Sequence, residues 1–183
     1  DACEEVGIPK IDDFNRGDNF GSSYFQVTQR GGIRWTAAKG FLKPVADRQN
    51  LRIVTGAQVT RLVTSDGRVS GVELTVDGTP AHARVAGELV LSAGAIGSPQ
   101  ILELSGIGDP DVLARQGIDV IAESRQVGNN LQDHLQIRTI FKVSGAVTLN
   151  QLASSLFGKA RIAMQYALSR SGPMSMAPSQ LGV

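Results

Sequence analysis

The sequence predicts a mixed α/β fold in which two buried parallel strands are bridged by an antiparallel β-meander and followed by helices. Three observations predict it. Asp66-Gly67 and Asp77-Gly78 separate apolar-rich runs of strand length. Asp-Gly between such runs is the strongest short hairpin signal, because both residues tolerate positive φ. The run Glu88-Leu89-Val90-Leu91-Ser92 flows into Ala93-Gly94-Ala95, and a continuous apolar strand suits a parallel sheet buried on both faces. Ser98-Pro99 follows and can open a helix, Ser98 capping the free N–H groups and Pro99 taking the first helical position.

In chain order, the first ~30 residues read as loop, because Asp12-Asp13, Asn15, Gly17, Asp18-Asn19 and Gly21-Ser22-Ser23 are dense in turn formers. Thr36 to Val45 can hold a short helix stopped at Pro44. Leu51 to Thr55 is a β-branched run bounded by Asn50 and Gly56 and reads as a strand. The meander occupies Gln58 to Thr64, Arg68 to Val76 and Pro80 to Val85, and the second parallel strand lies at 88–92. The helix opened by Ser98-Pro99 ends before Gly106, and a second runs from Asp111 to Gln116 and stops at Gly117. Ile118 to Ala122 and Arg138 to Val143 return to strand. Residues ~150 to 170 carry Leu152, Leu156, Ala163, Tyr166 and Ala167 at helical spacing, with Gly172-Pro173 as terminator.

Composition narrows the function classes. The chain has 183 residues and a formal net charge of +1, which leaves no electrostatic footprint for nucleic acid. Cys3 has no partner for a disulfide. No stretch reaches the ~18 consecutive apolar residues of a membrane span. The N-terminus Asp1-Ala2-Cys3-Glu4-Glu5 lacks a Met, and both ends look cut. The chain is therefore expected to be an internal piece of something longer.

The chemistry-bearing residues are few. His82 and His134 are isolated and read as surface or turn residues. No His, Cys, Asp or Glu cluster has metal spacing, so no metal is expected. Gly106-Ile107-Gly108 is followed by Asp111 where a dinucleotide fingerprint needs glycine. The usual diphosphate cradle is not in this sequence.

A sharper signal lies at Gly94-Ala95-Ile96-Gly97-Ser98-Pro99-Gln100-Ile101-Leu102-Glu103-Leu104-Ser105-Gly106-Ile107-Gly108. This run resembles, position by position, the second signature of the glucose–methanol–choline (GMC) oxidoreductases. Gln26-Val27-Thr28 with Arg34-Trp35-Thr36-Ala37-Ala38, Asn50-Leu51 through Thr55-Gly56-Ala57-Gln58-Val59-Thr60-Arg61, and Val127-Gly128-Asn129-Asn130-Leu131-Gln132-Asp133-His134 resemble further landmarks in the same order. Thr36 replaces the family's Ser. The resemblance runs from residue ~4 to ~180.

The resemblance implies FAD as cofactor and oxidation of an alcohol CH–OH to an aldehyde by hydride transfer to flavin. It implies that the chain is the middle third of such an enzyme. Residues 1–48 would be a linker, lid and substrate-side segment, 49–134 part of the FAD-binding Rossmann-like domain, and 135–183 the start of the substrate domain. The catalytic base would lie outside this chain, so no catalytic residue is assigned and His134 is not given that role. Val59 aligns with a position whose backbone contacts adenine. Ser92, Ala93 and Gly94 sit where small residues permit close approach of flavin or phosphates. Asn130, with Asp133, either fixes its loop or reaches the flavin. The helix of ~150 to 170 and the Met174-Ser175-Met176 loop either line the substrate pocket or pack as core.

Choline-oxidising members carry a Glu two residues after the motif's His, whereas this chain has the neutral Gln136. The expected substrate is therefore an uncharged small alcohol, with a separate electron acceptor as second partner. No transmembrane segment and no nucleic acid are expected. The expected location is cytoplasmic, at most peripheral to the inner membrane. Two other readings stay open: a hydroxynitrile lyase that holds FAD without redox use, and a truncated module inactive on its own.

Overall fold

The structure is a computed structural model and describes residues 1–177 and 179–183. In chain order its elements are α1 (Ala2–Glu5), β1 (Ser23–Tyr24), β2 (Gln29–Arg30), β3 (Ile33–Arg34), β4 (Ala57–Ser65), β5 (Arg68–Val76), β6 (Thr79–Arg84), α2 (Gly94–Leu104), β7 (Ile107–Gly108), α3 (Pro110–Arg115), β8 (Ala122–Glu123), α4 (Leu149–Leu152), α5 (Leu156–Ser169) and β9 (Leu181–Gly182). They divide into two compact units. One is Arg52–Thr139, and the other joins Asp1–Leu51 to Ile140–Val183.

In the unit Arg52–Thr139, β4, β5 and β6 form the expected antiparallel meander, in that order. Both turns are built from positive-φ pairs, Asp66 and Gly67 at 52° and 73°, Asp77 and Gly78 at 49° and 82°. This is the mirror-image turn whose twist matches that of the flanking strands. The β4–β5 ladder slips twice, leaving Thr60 and Ser70 unpaired as bulges. Each bulge is closed by its own hydroxyl: Thr60 Oγ1 donates to the Glu73 carbonyl at 3.1 Å, and Ser70 Oγ to the Val63 carbonyl at 3.2 Å.

Leu113 on α3 is only 1% exposed, and Leu62 and Ile101 are buried where helix α2 packs on β4. Ser105 is buried between them. Its hydroxyl accepts the Leu62 N–H at 2.8 Å and donates to the Ile101 carbonyl one turn back. Gly106 follows the helix with φ of 76°, the left-handed conformation that ends helices. β7 then pairs in parallel with β8. Asp109 caps α3, its Oδ1 accepting the Asp111 N–H at 2.9 Å.

Several expectations are corrected here. Neither 51–55 nor 88–92 forms a paired strand, and Ile53 and Val90 are 53% and 82% exposed. A parallel strand of this type needs neighbours on both edges and helices on both faces, and no element among the described residues supplies them. Of the strand expected over 118–122 only Ala122 pairs, as the first residue of β8, and 138–143 pairs with nothing. Helix α2 begins at Gly94, four residues before Ser98, and contains Pro99. Ser98 still serves the helix start from within, because its Oγ accepts the Ala93 N–H at 2.9 Å.

In the other unit, β1 pairs antiparallel with β9, and β2 with β3. The segment read as loop therefore contains α1, β1 and β2. Its turn formers mark the ends of these short elements instead of excluding them. The helix expected over 36–45 is a turn of π-helix at Ala38–Leu42 followed by a 3₁₀ turn at Lys43–Val45. Pro44 lies inside the 3₁₀ turn, in the first-turn position where its missing N–H costs nothing. The helix expected over 150–170 is split into α4 and α5. Ser155 restarts it, its Oγ accepting the Gly158 N–H at 3.0 Å, and Thr148 and Gln151 form a capping box on α4.

Candidate functional site

The first candidate surface is the free edge of β4. Its geometry follows from the ladder. The Asp77 N–H donates to the Gly56 carbonyl at 3.0 Å, so Gly56 and Asp77 form a hydrogen-bonded pair. Such pairs alternate with non-bonded ones along an antiparallel ladder. The register runs Ala57–Val76, Gln58–Thr75, Val59–Leu74. Val59 therefore falls on a non-bonded pair, with its N–H and C=O pointing away from β5. β4 is an edge strand of its sheet, so these groups face no strand. Gln58 Nε2 donates to the Val59 carbonyl at 3.2 Å.

Beyond the Thr60 bulge the register is held by charge. Arg61 grips Glu73 with two bonds, Nε to Oε2 at 2.7 Å and a second at 2.8 Å. The Arg61 guanidinium holds the Glu73 carboxyl below its ordinary range, and Glu73 raises Arg61 in return. His82 stands opposite Glu73 on β6 and is exposed.

The second candidate surface is a groove of about 640 Å³ between α2 and residues 128–132. Ala95, Ile96, Pro99 and Glu103 form one wall, Gly128 and Asn130 the other. Gly94 starts α2 with φ of 86° and nothing within 4 Å of a built Cβ. It gives the chain a left-handed bend and an open approach to the helix N-terminus, where N–H groups are free. Asn130 has a positive φ of 58°, and its Nδ2 donates to Gln126 Oε1 at 2.6 Å. The Glu103 carboxylate lies directly against Gly128.

Of the sequence-selected residues, Asn130 lines this groove, and Gly94 starts α2 one residue before the first lining residue, Ala95. Ala93 is the residue before α2, and Ser92 is exposed beside it. Val59 lies in the same unit on the β4 edge. Gln136 sits in the exposed run 131–143 without regular structure. In the turn before it, Asp133 Oδ1 accepts the His134 N–H at 2.8 Å, so Asp133 is the orienting group, and His134 is exposed.

In the other unit, Tyr166, Met174 and Met176 line a cavity of about 490 Å³ with Thr28, Gln29 and Arg34. The cavity is braced by Gln29 Nε2, which donates to the Ser175 carbonyl at 2.8 Å. No cluster of metal-ligating side chains occurs among the described residues, and no helix there is long and apolar enough to cross a membrane. Residue reading missed Thr60, Ser105 and Glu103. Ser105 lay in plain view within the signature, but its role as a tie to β4 needs the long-range contact to be seen.

Comparison with known proteins assigns the family. The sequence profile of the GMC oxidoreductases matches residues 1–136. The chain is 35% identical over 172 residues to an oxygen-dependent choline dehydrogenase of Brucella ovis, covering 94% of this chain and 31% of that protein. It is 34% identical over 184 residues to an alcohol dehydrogenase (acceptor) of Pseudomonas putida, covering 99% and 33%. An FAD-dependent oxidoreductase from Chaetomium thermophilum shares the fold with a TM-score of 0.82 at 26% identity, over 98% of this chain and 32% of that one. The chain thus spans about a third of the length of the proteins it matches. Sequence and fold point the same way: the chain belongs to the GMC oxidoreductase family.

Proposed function

We propose that this chain is part of a longer FAD-dependent oxidoreductase that oxidises the CH–OH group of a small alcohol to an aldehyde by hydride transfer to flavin. The observation that carries the reading is the groove lined by Asn130 and by the residues of α2 that directly follow Gly94. The residues fit an FAD. The outward N–H and C=O of Val59 form a donor–acceptor pair that complements the edge of an adenine. Ser92, Ala93 and Gly94 leave room for flavin or phosphate beside free helix N–H groups. Asn130, held by Gln126, presents a fixed polar face to the same groove. FAD, when bound, supplies the hydride acceptor. This chain contributes binding and orientation, and the proton-accepting base belongs to another part of the protein.

In this reading Arg52–Thr139 belongs to the FAD-binding domain. The unit of Asp1–Leu51 and Ile140–Val183 lies on the substrate side, with Met174 and Met176 as adaptable apolar lining. The substrate is an uncharged primary alcohol, and a separate acceptor takes the electrons. Gln136 supports this choice against choline. A carboxylate at that position would attract a trimethylammonium head strongly in a shielded site, whereas a neutral amide offers only a dipole.

Anaerobic mixing of the full-length protein with a primary alcohol tests the reaction class. The flavin absorbance is expected to bleach, and an unbleached flavin with cyanohydrin cleavage would establish the lyase reading instead. In the same protein kcat/KM is expected to favour a neutral alcohol over choline, and Gln136→Glu to raise the relative value for choline. A wild type that already prefers choline would remove Gln136 from the argument.

A further inference from the structure

The β4 edge carries two outward connections that a regular strand cannot hold together. Val59 points its N–H and C=O outward, as the ladder from Gly56 to Leu74 requires. Leu62 also points its N–H outward, because it donates to Ser105 Oγ at 2.8 Å. Outward positions in an antiparallel edge strand alternate, so they lie an even number of residues apart. Positions 59 and 62 differ by an odd number. The residue that reconciles them is the bulged Thr60, which has no partner in the ladder between Val59–Leu74 and Arg61–Glu73. Were Thr60 an ordinary paired residue of the ladder, a strand tied to Ser105 at Leu62 would turn Gln58 and Thr60 outward and bury the polar groups of Val59 in the ladder.

We propose that the Thr60 bulge is a positioning device for the nucleobase of the cofactor. It lets β4 present the Val59 N–H and C=O to adenine while Leu62 stays fastened to α2. This rests on the FAD reading above. The bulge is held shut at both levels of Glu73: the Thr60 hydroxyl bonds its carbonyl, and Arg61 clamps its carboxylate. A bulge beside a binding site commonly re-aims a strand in this way. Thr60 acts through Val59 and is itself a positioning residue. The donor–acceptor order at Val59 suits adenine, which offers an amino group beside a ring acceptor, and opposes guanine, which offers a carbonyl beside an N–H.

The test compares FAD with flavin guanine dinucleotide as ligands of the full-length apoprotein, by fluorescence titration. Wild type is expected to favour FAD by about tenfold or more, the scale of one mismatched base edge. Thr60→Val removes the hydroxyl closure and is expected to cut that preference by about threefold or more, within the range of one lost hydrogen bond. Thr60→Ser should restore it. Deletion of Thr60 leaves Val59 and Leu62 two positions apart, both outward on a regular strand, and is expected to keep the preference, whereas its loss in that variant would contradict the alternation on which the proposal rests. A purely structural role for Thr60 would weaken both ligands equally and leave the ratio unchanged, which would overturn the proposal. A wild type with no preference at all would instead overturn the assignment of Val59 to adenine.

Discussion

Leu113→Ala is expected to destabilise the unit Arg52–Thr139 by about 2–5 kcal/mol, read as a lowered urea midpoint with an unchanged slope. Leu113 is the most deeply buried large side chain among the described residues, at 1% exposure. It fills the space beneath Gly108, whose built Cβ would lie 3.6 Å from Leu113 Cδ2. Leu62 and Ile101 are the other buried apolar side chains among the described residues, so little apolar bulk stands ready to collapse into the hole. A cost below about 1 kcal/mol would mean that α3 rearranges freely, contrary to the cavity argument.

Gly106→Ala is the second large effect. The left-handed backbone alone costs about 1–3 kcal/mol for a residue with a Cβ. The added methyl would also strike the Asp119 carbonyl and Ile121, so the total should exceed the backbone term. Gly67→Ala is the control. Gly67 has a similar φ of 73° but nothing within 4 Å of a built Cβ. If both substitutions cost the same, the close approach of Asp119 contributes nothing. The expected difference would explain why the signature's Ser-Gly-Ile-Gly is a packing device: Ser105 ties the helix to β4, Gly106 turns the chain, and Ile107–Gly108 pairs with β8.

The local elements were the legible part of the sequence. Asp66-Gly67 and Asp77-Gly78 specify their turns by φ alone, so the meander stands where it was expected. Gly106 and Gly117 marked helix ends for the same reason. The strands at 51–55 and 88–92 were not legible as paired structure, because an apolar run states that it wants burial without stating by what. Ser98-Pro99 misplaced the start of α2, since a serine can serve a helix N-terminus from inside as well as from the cap. The family resemblance lay in the spacing of whole motifs. The bulge at Thr60 was invisible, because register depends on β5 and on the Ser105 tie far along the chain.

Hydrogen exchange in the full-length protein, with and without FAD, tests the central claim most directly. FAD is expected to slow exchange of the Val59 amide and of amides at 94–98 and 128–132, and to leave the exposed turn at Asp66-Gly67 unchanged. Bound FAD with no added protection at Val59 or along the groove between α2 and Asn130 would contradict it.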